Sequence, residues 1–336
     1  MEKILVVKIS ALGDILHSLP VLKALKESQP NLFIGWLVAR AYKEILEGNP
    51  YIDRIFLFER ERWRGLKNCL FRQQEIWRLL KEIRAEGFDT CLDLQGLFRS
   101  GFFTLLSGAS HRLGFAHARE FSTLAYNNKV SVPHSIIHAV DRNSYLVEKL
   151  IQKPVARDFP IFLSEQDKQK ASSWLQGNPC IVMVPGTRWP SKRWPAKHFA
   201  RLMDGLFMDY NATIALVGAK GDSGLGEQIL GNTKFPEKVV NLIGKTSIKE
   251  LCAVMAKADL VISNDSGPMH IAAAMGSKIL ALFGPTDTQK TSPYGENHIV
   301  LQHLCGCNPC RNRVCKKNPT CMEQLSPEEV RKNIAF

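Results

Sequence analysis

The feature that most constrains the fold is an alternation of short apolar runs with amphipathic stretches, which occurs in both halves of the chain. Runs rich in β-branched residues predict strands at 3–9, 31–38, 54–58, 90–94, 180–184, 213–218, 239–244, 260–264 and 278–284. Helical periodicity predicts helices near 12–26, 41–47, 71–86, 97–106, 138–150, 195–208 and 247–256. Strands that alternate with helices form parallel sheets covered on both faces. An α/β protein with doubly wound domains is therefore predicted.

A segment without a clear helical face separates the two halves. Residues 152–167 contain two prolines and are predicted to be a linker. The 336 residues suit two domains of roughly 100–200 residues each. We expect domains at 1–155 and 165–320, and a C-terminal helix within 321–336 that packs back on the N-terminal domain. Ligands of such sheets bind beyond the carboxyl ends of the strands, so functional residues are expected in the loops there, along a shared cleft.

Composition excludes several classes of protein. Hydrophobic residues make up 45% and charged residues 23%, which excludes a disordered chain. No apolar run reaches the ~18 residues of a membrane span, and Lys8 interrupts the N-terminal apolar stretch, which is too short for a signal peptide. A cytosolic protein is expected.

The net charge of +12 indicates an anionic partner or simply a basic surface. Residues 1–160 carry 23 basic and 17 acidic side chains, and residues 161–336 carry 21 and 15, so each half has a net charge of +6. The charge is not concentrated in a tail. Nucleic acid, a phosphorylated substrate and an anionic membrane face are all compatible with it.

Three loops after predicted strands carry polar residues suited to chemistry. Asp14 follows the first strand and is either a helix N-cap or a carboxylate aimed at a substrate hydroxyl. Residues 265–270 (DSGPMH) combine a capping residue, a glycine and a proline at a helix start, a pattern typical of a phosphate site. Residues 185–194 (PGTRWPSKRW) offer a hydroxyl, backbone amides and three cations, which suit a diphosphate. No D-x-D sequence occurs, so nothing indicates a carboxylate-held metal.

A cysteine cluster near the C-terminus has two interpretations. Its spacing is C-x-C-x2-C-x4-C-x5-C, formed by Cys305, Cys307, Cys310, Cys315 and Cys321. Close spacing is compatible with structural zinc, but the paired C-x2-C form of a zinc ribbon is missing. Reduced thiols are the other interpretation, because a cytosolic location disfavours stable disulfides.

Motifs along nearly the whole chain resemble those of the lipopolysaccharide heptosyltransferases, glycosyltransferase family 9. They are VVKISALGDILHSLPVLKAL, DLQGLFRSG, ARE…LAYNNKVSV…HAVDRN, PGTRWPSKRWP and NDSGPMHIAAAMG…ALFGPTD. The ARE and HAVDRN segments are most similar to heptosyltransferase I. The cysteine-rich segment is more similar to heptosyltransferase II, which leaves the exact acceptor open.

The resemblance implies a GT-B fold, with two Rossmann-like domains facing a central cleft. It implies inverting transfer of heptose from ADP-L-glycero-D-manno-heptose to Kdo2–lipid A, with no required metal or cofactor and no nucleic acid. A cytoplasmic enzyme held peripherally on the anionic inner membrane is implied. Two alternatives stay open: a transferase for a different acceptor or nucleotide sugar, and a nucleic-acid-binding protein with a C-terminal zinc module.

The resemblance also implies roles for individual residues. Asp14 matches the general base, and Lys192 offsets charge on the departing ADP. Asp222 stands where the family has an acid that binds the ribose. The full donor set is Thr187, Lys192, Asp222, Asp265, Ser266, Gly267 and His270. The acceptor set, which would meet carboxylates and phosphates, is Lys8, Ser10, Arg62, Arg64, Arg99, Arg119 and His138.

Overall fold

A computed structural model describes residues 1–59 and 72–336 and divides the chain into two units, Met1–Phe162 and Leu163–Phe336. The boundary falls inside the predicted linker. Arg62 and Arg64 lie outside the described residues. No helix in the described ranges is both long enough and apolar enough to cross a bilayer.

The first unit contains a six-stranded parallel sheet with the strand order β3-β2-β1-β4-β5-β6. Its strands are β1 Lys3–Val7, β2 Phe33–Ala39, β3 Arg54–Phe58, β4 Thr90–Asp93, β5 His111–Phe115 and β6 Asn128–Val130. β1 pairs with both β2 and β4, and Val7 lies opposite Leu37 on one side and Asp93 on the other. The order of strand addition reverses at β1 and β4, so the carboxyl ends of these two strands mark the expected ligand edge.

Helices cover this sheet. The described ones are α1 Leu12–Leu16, α2 Pro20–Ser28, α3 Gln73–Ala85, α4 Phe98–Leu106 and α5 Ala139–Ile151. α2 has Pro20 in its first turn, where the missing N–H costs nothing, and it buries Val21, Leu22 and Leu25 at helical spacing. On one sheet face, α3 and α4 bury Leu80 and Phe103 in a core with Leu5.

The second unit repeats the same topology. Its parallel sheet has the order β12-β11-β10-β7-β8-β9, and its strands are β7 Cys180–Val184, β8 Thr213–Leu216, β9 Val239–Asn241, β10 Leu260–Asn264, β11 Ile279–Phe283 and β12 His298–Gln302. β7 and β10 are the central neighbours and are buried throughout. Their carboxyl ends correspond to those of β1 and β4 in the first unit.

The helices of the second unit pack a large core that contains Trp194, Phe199 and Leu206. Those described are α6 Glu165–Trp174, α7 Ala196–Tyr210, α8 Ser223–Leu230, α9 Ile248–Lys257, α10 Gly267–Ala274, α11 Thr288–Thr291, α12 Cys321–Gln324 and α13 Pro327–Lys332. α6 begins within the predicted linker, because Ser164 and Asp167 form a reciprocal capping box at its start.

Several predicted elements differ from the structure. Residues Arg40–Ile45 form a 3₁₀ helix rather than an α-helix. Strands β5, β6 and β12 were absent from the sequence prediction: β5 reads HRLGF, β6 has three residues, and β12 is only partly buried along its length. None of the three shows the strong apolar run that marks a buried strand.

The C-terminal segment packs within the second unit. Met322, Leu325 and Val330 are buried in the same core as Trp194, whose indole Nε1 donates a hydrogen bond to the Leu325 carbonyl at 2.8 Å. Ser326 caps α13, the C-terminal helix, by accepting a hydrogen bond from the Glu329 N–H. The apolar side chains of this segment complete the core of the second unit, and its expected packing on the N-terminal domain stays a prediction.

Leu325→Ala is expected to lower the free energy of unfolding of the second unit by about 2–5 kcal/mol, because it removes a fully buried side chain. Urea unfolding followed by tryptophan fluorescence measures this, since Trp194 reports from the same core. Leu304→Ala removes a side chain that is 72% exposed and should stay within about 0.5 kcal/mol of wild type. Equal stability of the two variants would contradict the packing described.

Candidate functional site

Two loops at the carboxyl ends of β7 and β10 are joined by hydrogen bonds. The amide of Asn264, buried at the end of β10, donates to the Pro185 carbonyl at 2.7 Å and accepts from the Trp194 N–H at 3.2 Å. Thr187 Oγ1 donates to the Asp265 carbonyl at 3.1 Å. The loop that carries the predicted diphosphate residues is therefore fixed against the loop that carries Asp265.

Lys192 and Asp265 form an ion pair where these loops meet. The Lys192 ammonium lies 2.7 Å from Asp265 Oδ2 and 4.8 Å from the centroid of the Trp189 ring. Both charged side chains are largely buried, at 15% and 6% exposure. A cation held in a partly dry site interacts more strongly with an anion than it would in water.

Thr286 completes this arrangement and was missed from the sequence. Its hydroxyl donates to the same Asp265 Oδ2 atom at 2.5 Å. Thr286 follows β11 in the GPTD sequence, which was part of the family resemblance but was not assigned a role. Its position after a strand of the same sheet is the signal that could have identified it.

The start of α10 lies directly after Asp265. Ser266 occupies the N-cap position without a side-chain cap hydrogen bond, and Pro268 stands in the first turn. Gly267 and His270 are also in the first turn. Backbone N–H groups at a helix start, together with its positive end, favour an anion there. Lys192, Thr187 and this helix start thus lie around one edge of the second sheet.

Asp222 approaches the same edge from β8. It ends the 3₁₀ helix Lys220–Asp222, and its carboxylate accepts from the Ala219 N–H at 3.0 Å. A Cβ atom at position 186 would overlap this carboxylate, so Gly186 is required for the close approach. The structure therefore brings the predicted donor residues together after β7, β8 and β10.

In the first unit, Asp14 lies at the carboxyl edge of the sheet, just after β1. It is the third residue of α1, and its Oδ2 accepts from the Ala11 N–H at 2.9 Å. Ala11 holds the N-cap position, so the interpretation of Asp14 as an N-cap is wrong, although its side chain still stabilises the helix start. Its side chain is exposed, which leaves the carboxylate accessible to a ligand.

Lys8 is buried beneath this loop. Its ammonium donates to the Leu94 carbonyl at 2.6 Å and is 6% exposed. Burial lowers the pKa of Lys8, and the nearby carboxylates of Asp14 and Asp93 partly oppose that shift. Lys8 is thus buried and bound to a backbone carbonyl of the first unit, whereas the sequence prediction placed it among the acceptor-binding residues.

The remaining predicted acceptor residues surround the ends of β1 and β4. The Ser10 N–H donates to Gln95 Oε1 at 3.1 Å, and Gln95 was not foreseen. The Arg99 guanidinium lies 5.3 Å from the Phe58 ring centroid.

Arg119 is exposed, and its N–H donates to the Gly96 carbonyl at 3.0 Å. His138 caps α5 by accepting from the Val140 N–H at 3.2 Å.

The cysteine cluster lines a small pocket next to the Lys192 loop. Residues around it include Ser191, Pro285 and five thiols: Cys305, Cys307, Cys310, Cys315 and Cys321. Burial among neighbouring thiols raises the pKa of Cys321 to about 11, which favours its neutral form. Within 1–59 and 72–336 these thiols are free, and no three ligating side chains stand at metal-binding positions. The absence of a metal requirement stays a prediction.

The cysteine-rich segment also supports the Lys192 loop. Ser191 donates from its N–H to the Arg313 carbonyl at 3.2 Å and from its hydroxyl to the Asn312 carbonyl at 2.6 Å. The Arg313 guanidinium lies 5.7 Å from the centroid of the Trp189 ring. The backbone of this segment therefore positions the loop from which Lys192 extends.

Comparisons with known proteins identify the family and the relatives of this chain. Residues 76–320 match the family described as glycosyltransferase family 9 (heptosyltransferase). Lipopolysaccharide heptosyltransferase 1 of Pseudomonas aeruginosa is 25% identical, with 98% of this chain and 96% of the relative covered. Lipooligosaccharide heptosyltransferase 2 of Campylobacter jejuni is 30% identical, with 95% and 94% covered. The structure of the E. coli heptosyltransferase WaaC with ADP is 26% identical, covers 98% of both chains and has a TM-score of 0.79.

These findings confirm the predicted α/β fold of the GT-B class and the resemblance to heptosyltransferases. They do not separate heptosyltransferases 1 and 2, because both kinds are among the relatives.

A double-mutant cycle tests the shared contact of Lys192 and Thr286 with Asp265. The effects of Lys192→Ala and Thr286→Val on the free energy of unfolding should deviate from additivity by about 0.5–3 kcal/mol, because both side chains bind the same oxygen. Thr233→Val is the matched control, since its hydroxyl donates to Asp204. It should add to Lys192→Ala within about 0.5 kcal/mol. Additivity of the first pair would exclude the shared carboxylate.

Proposed function

Because the chain belongs to glycosyltransferase family 9, the heptosyltransferases, we propose that it transfers L-glycero-D-manno-heptose from ADP-heptose to the Kdo region of lipid A. The transfer inverts the anomeric carbon and builds the lipopolysaccharide inner core. The observation that carries this proposal is the buried Lys192–Asp265 pair at the ends of β7 and β10, next to the start of α10.

The second unit is proposed to bind the donor. Lys192, Thr187 and the N-terminal N–H groups of α10 supply one cation and several donors for a diphosphate. Ser266, Gly267 and His270 belong to this helix start. Asp222 follows the neighbouring strand β8 and is proposed to accept hydrogen bonds from the ribose hydroxyls.

Lys192 is proposed to exchange partners during the reaction. When the diphosphate arrives, the ammonium shifts from Asp265 towards the phosphate oxygens, and Thr286 continues to donate to the Asp265 carboxylate. As the glycosidic bond to ADP breaks, negative charge grows on the leaving phosphate, and a nearby cation stabilises it. The Lys192 ammonium and the positive end of α10 supply the charge that a divalent metal would otherwise supply. We therefore propose that no metal or cofactor is required.

Asp14 is proposed as the general base. Its exposed carboxylate takes the proton of the acceptor hydroxyl while that oxygen attacks the anomeric carbon from the face opposite ADP. The Lys8 ammonium lies below the same loop, where it donates to the Leu94 carbonyl. One Asp14 oxygen already accepts from the Ala11 N–H, which orients the carboxylate.

The acceptor is proposed to bind at the first unit. Arg99, Arg119 and His138 surround the ends of β1 and β4 with Ser10, and they suit the carboxylates and phosphates of a Kdo-lipid A glycolipid. Arg62 and Arg64 keep their predicted acceptor role outside the described residues. Because this acceptor is a membrane lipid, we propose peripheral contact with the cytoplasmic face of the inner membrane.

A second candidate is the heptosyltransferase II reaction, which extends an acceptor that already carries one heptose. Two observations favour it: the cysteine-rich segment that supports the Lys192 loop, and the 30% identity to a heptosyltransferase 2. The donor chemistry is the same in both candidates, so the acceptor alone distinguishes them.

ADP is expected to stabilise the protein against thermal unfolding, by about 2.7 kcal/mol at 100 times its Kd, whereas duplex DNA is not. Lys192→Ala should weaken ADP affinity about 10- to 100-fold, since a charge-assisted contact is lost. Lys168→Ala removes an exposed cation paired with Glu165 on α6 and should leave the ADP effect unchanged. Stabilisation by DNA and none by ADP would instead support a nucleic-acid-binding protein.

Asp14→Asn is expected to reduce kcat by about 10²- to 10⁴-fold, because the general base is lost. The asparagine oxygen can still accept from the Ala11 N–H, so folding and ADP affinity should be retained. Steady-state kinetics of ADP release with ADP-heptose and acceptor measure the effect. Asp158→Asn, at a carboxylate paired with Lys23, is the control and should turn over normally. Turnover of Asp14→Asn near that of the control would remove Asp14 as the base.

A further inference from the structure

An exposed apolar surface lies on α4 and on the 3₁₀ helix Ser122–Ala125 and its preceding residue. Phe98 and Leu105 of α4 are 65% and 51% exposed, and Phe121 and Leu124 are 82% and 77% exposed. Phe98 and Leu105 are seven residues apart and therefore lie on one helix face. We refer to these four side chains as the α4 surface.

Direct contacts join the two parts of the α4 surface. Glu120 Oε2 accepts from the Phe98 N–H at 3.1 Å, which ties the start of α4 to the turn before Phe121. Along α4, Gly101 approaches the backbone of Ser122 so closely that a Cβ at position 101 would lie 3.0 Å from the Ser122 Cα. The helix and the turn that carry these four side chains are therefore in direct contact, and the side chains form one continuous surface.

The turn that carries Phe121 has an uncommon backbone conformation. Glu120 and Phe121 both have positive φ angles, 55° and 59°, which non-glycine residues rarely adopt. The turn nevertheless leaves a phenylalanine almost fully in solvent. A large apolar side chain that is exposed on a turn of unfavourable backbone conformation, beside other exposed apolar side chains, indicates a surface that meets an apolar phase.

Arginines stand at both ends of the α4 surface. Arg99 and Arg119 are exposed next to Phe98 and Phe121, and Arg84 donates from Nε to the Leu106 carbonyl at 2.8 Å, beside Leu105. The nearby acid Glu120 uses one carboxylate oxygen to cap the Phe98 N–H. Apolar side chains with flanking cations complement the interface of an anionic bilayer, where the former enter the acyl boundary and the latter meet phosphates.

We propose that the α4 surface docks the protein on an anionic phospholipid bilayer. α4 begins just after β4, which neighbours β1, so the start of α4, with Phe98, lies at the same sheet edge as Asp14. Docking would present a membrane-embedded acceptor to this edge. This inference rests on the proposed function, which supplies the reason for the protein to act at a membrane.

Vesicle binding tests the proposal. Sedimentation of the full-length protein with phosphatidylcholine vesicles and with vesicles that also contain phosphatidylglycerol should show binding to the anionic vesicles, weakened by added salt. Phe121→Ala/Leu124→Ala should lower the affinity at least tenfold. Met208→Ala, at an α7 side chain that is 74% exposed, is the matched control and should bind as wild type. Unchanged thermal unfolding of both variants excludes a folding defect.

Other outcomes overturn the proposal. Wild-type vesicle binding by Phe121→Ala/Leu124→Ala would show that the α4 surface does not dock, and equal binding to uncharged vesicles would contradict the role of the arginines. A dimer in analytical ultracentrifugation that the double variant dissociates, without any vesicle binding, would assign the surface to a second copy of the chain.

An activity assay separates this inference from the proposed function. With ADP-heptose and a water-soluble, deacylated acceptor, the double variant should match wild-type turnover, whereas with the acceptor in anionic vesicles its rate should fall at least tenfold. A rate loss on the soluble acceptor would overturn the docking role. No transfer by the wild type to either acceptor would refute the proposed function, while the vesicle-binding result would still decide docking.

Discussion

The ion pair between Lys192 and Asp265 is the interaction on which the chemistry of the second unit depends. It joins loops from β7 and β10, both side chains are largely buried, and Thr286 adds a hydrogen bond to the same carboxylate oxygen. A largely buried lysine without a partner would be costly, and Asp265 supplies that partner and holds the ammonium in place. An arriving diphosphate can then exchange with Asp265 as the partner of a cation that is already positioned.

The rest of the second unit maintains this geometry. Asn264 fixes the two loops to each other, and the cysteine-rich segment holds Ser191, which precedes Lys192. The C-terminal segment buries Leu325 beneath Trp194. Residues far apart in the chain thus support one short loop. The first unit repeats the same sheet topology and places Asp14, with the charge of Lys8 beneath it, at the corresponding edge.

Much of the fold and of the site follows from the sequence, because parallel strands bring their carboxyl ends to one edge. That rule predicted functional residues in the loops after the strands, and the structure joins Thr187, after β7, to Asp265, after β10. The burial of Lys8 was not predictable, because the partner of its ammonium is the carbonyl of Leu94, eighty-six residues away. Thr286 was missed because its role depends on its hydrogen bond to Asp265, although its position after β11 marks it as a candidate. Strand β6 and the packing of α13 depend on tertiary contacts that local propensity does not encode.

The most direct test of the account is a mass-spectrometric transfer assay with purified protein and ADP-heptose. Kdo2–lipid A and its monoheptosylated form are offered separately as acceptors, and Asp14→Asn protein serves as the inactive reference. The account predicts that wild-type protein adds the mass of one heptose to Kdo2–lipid A. Addition to the monoheptosylated form alone would assign the heptosyltransferase II reaction instead, and no addition to either acceptor would contradict the account.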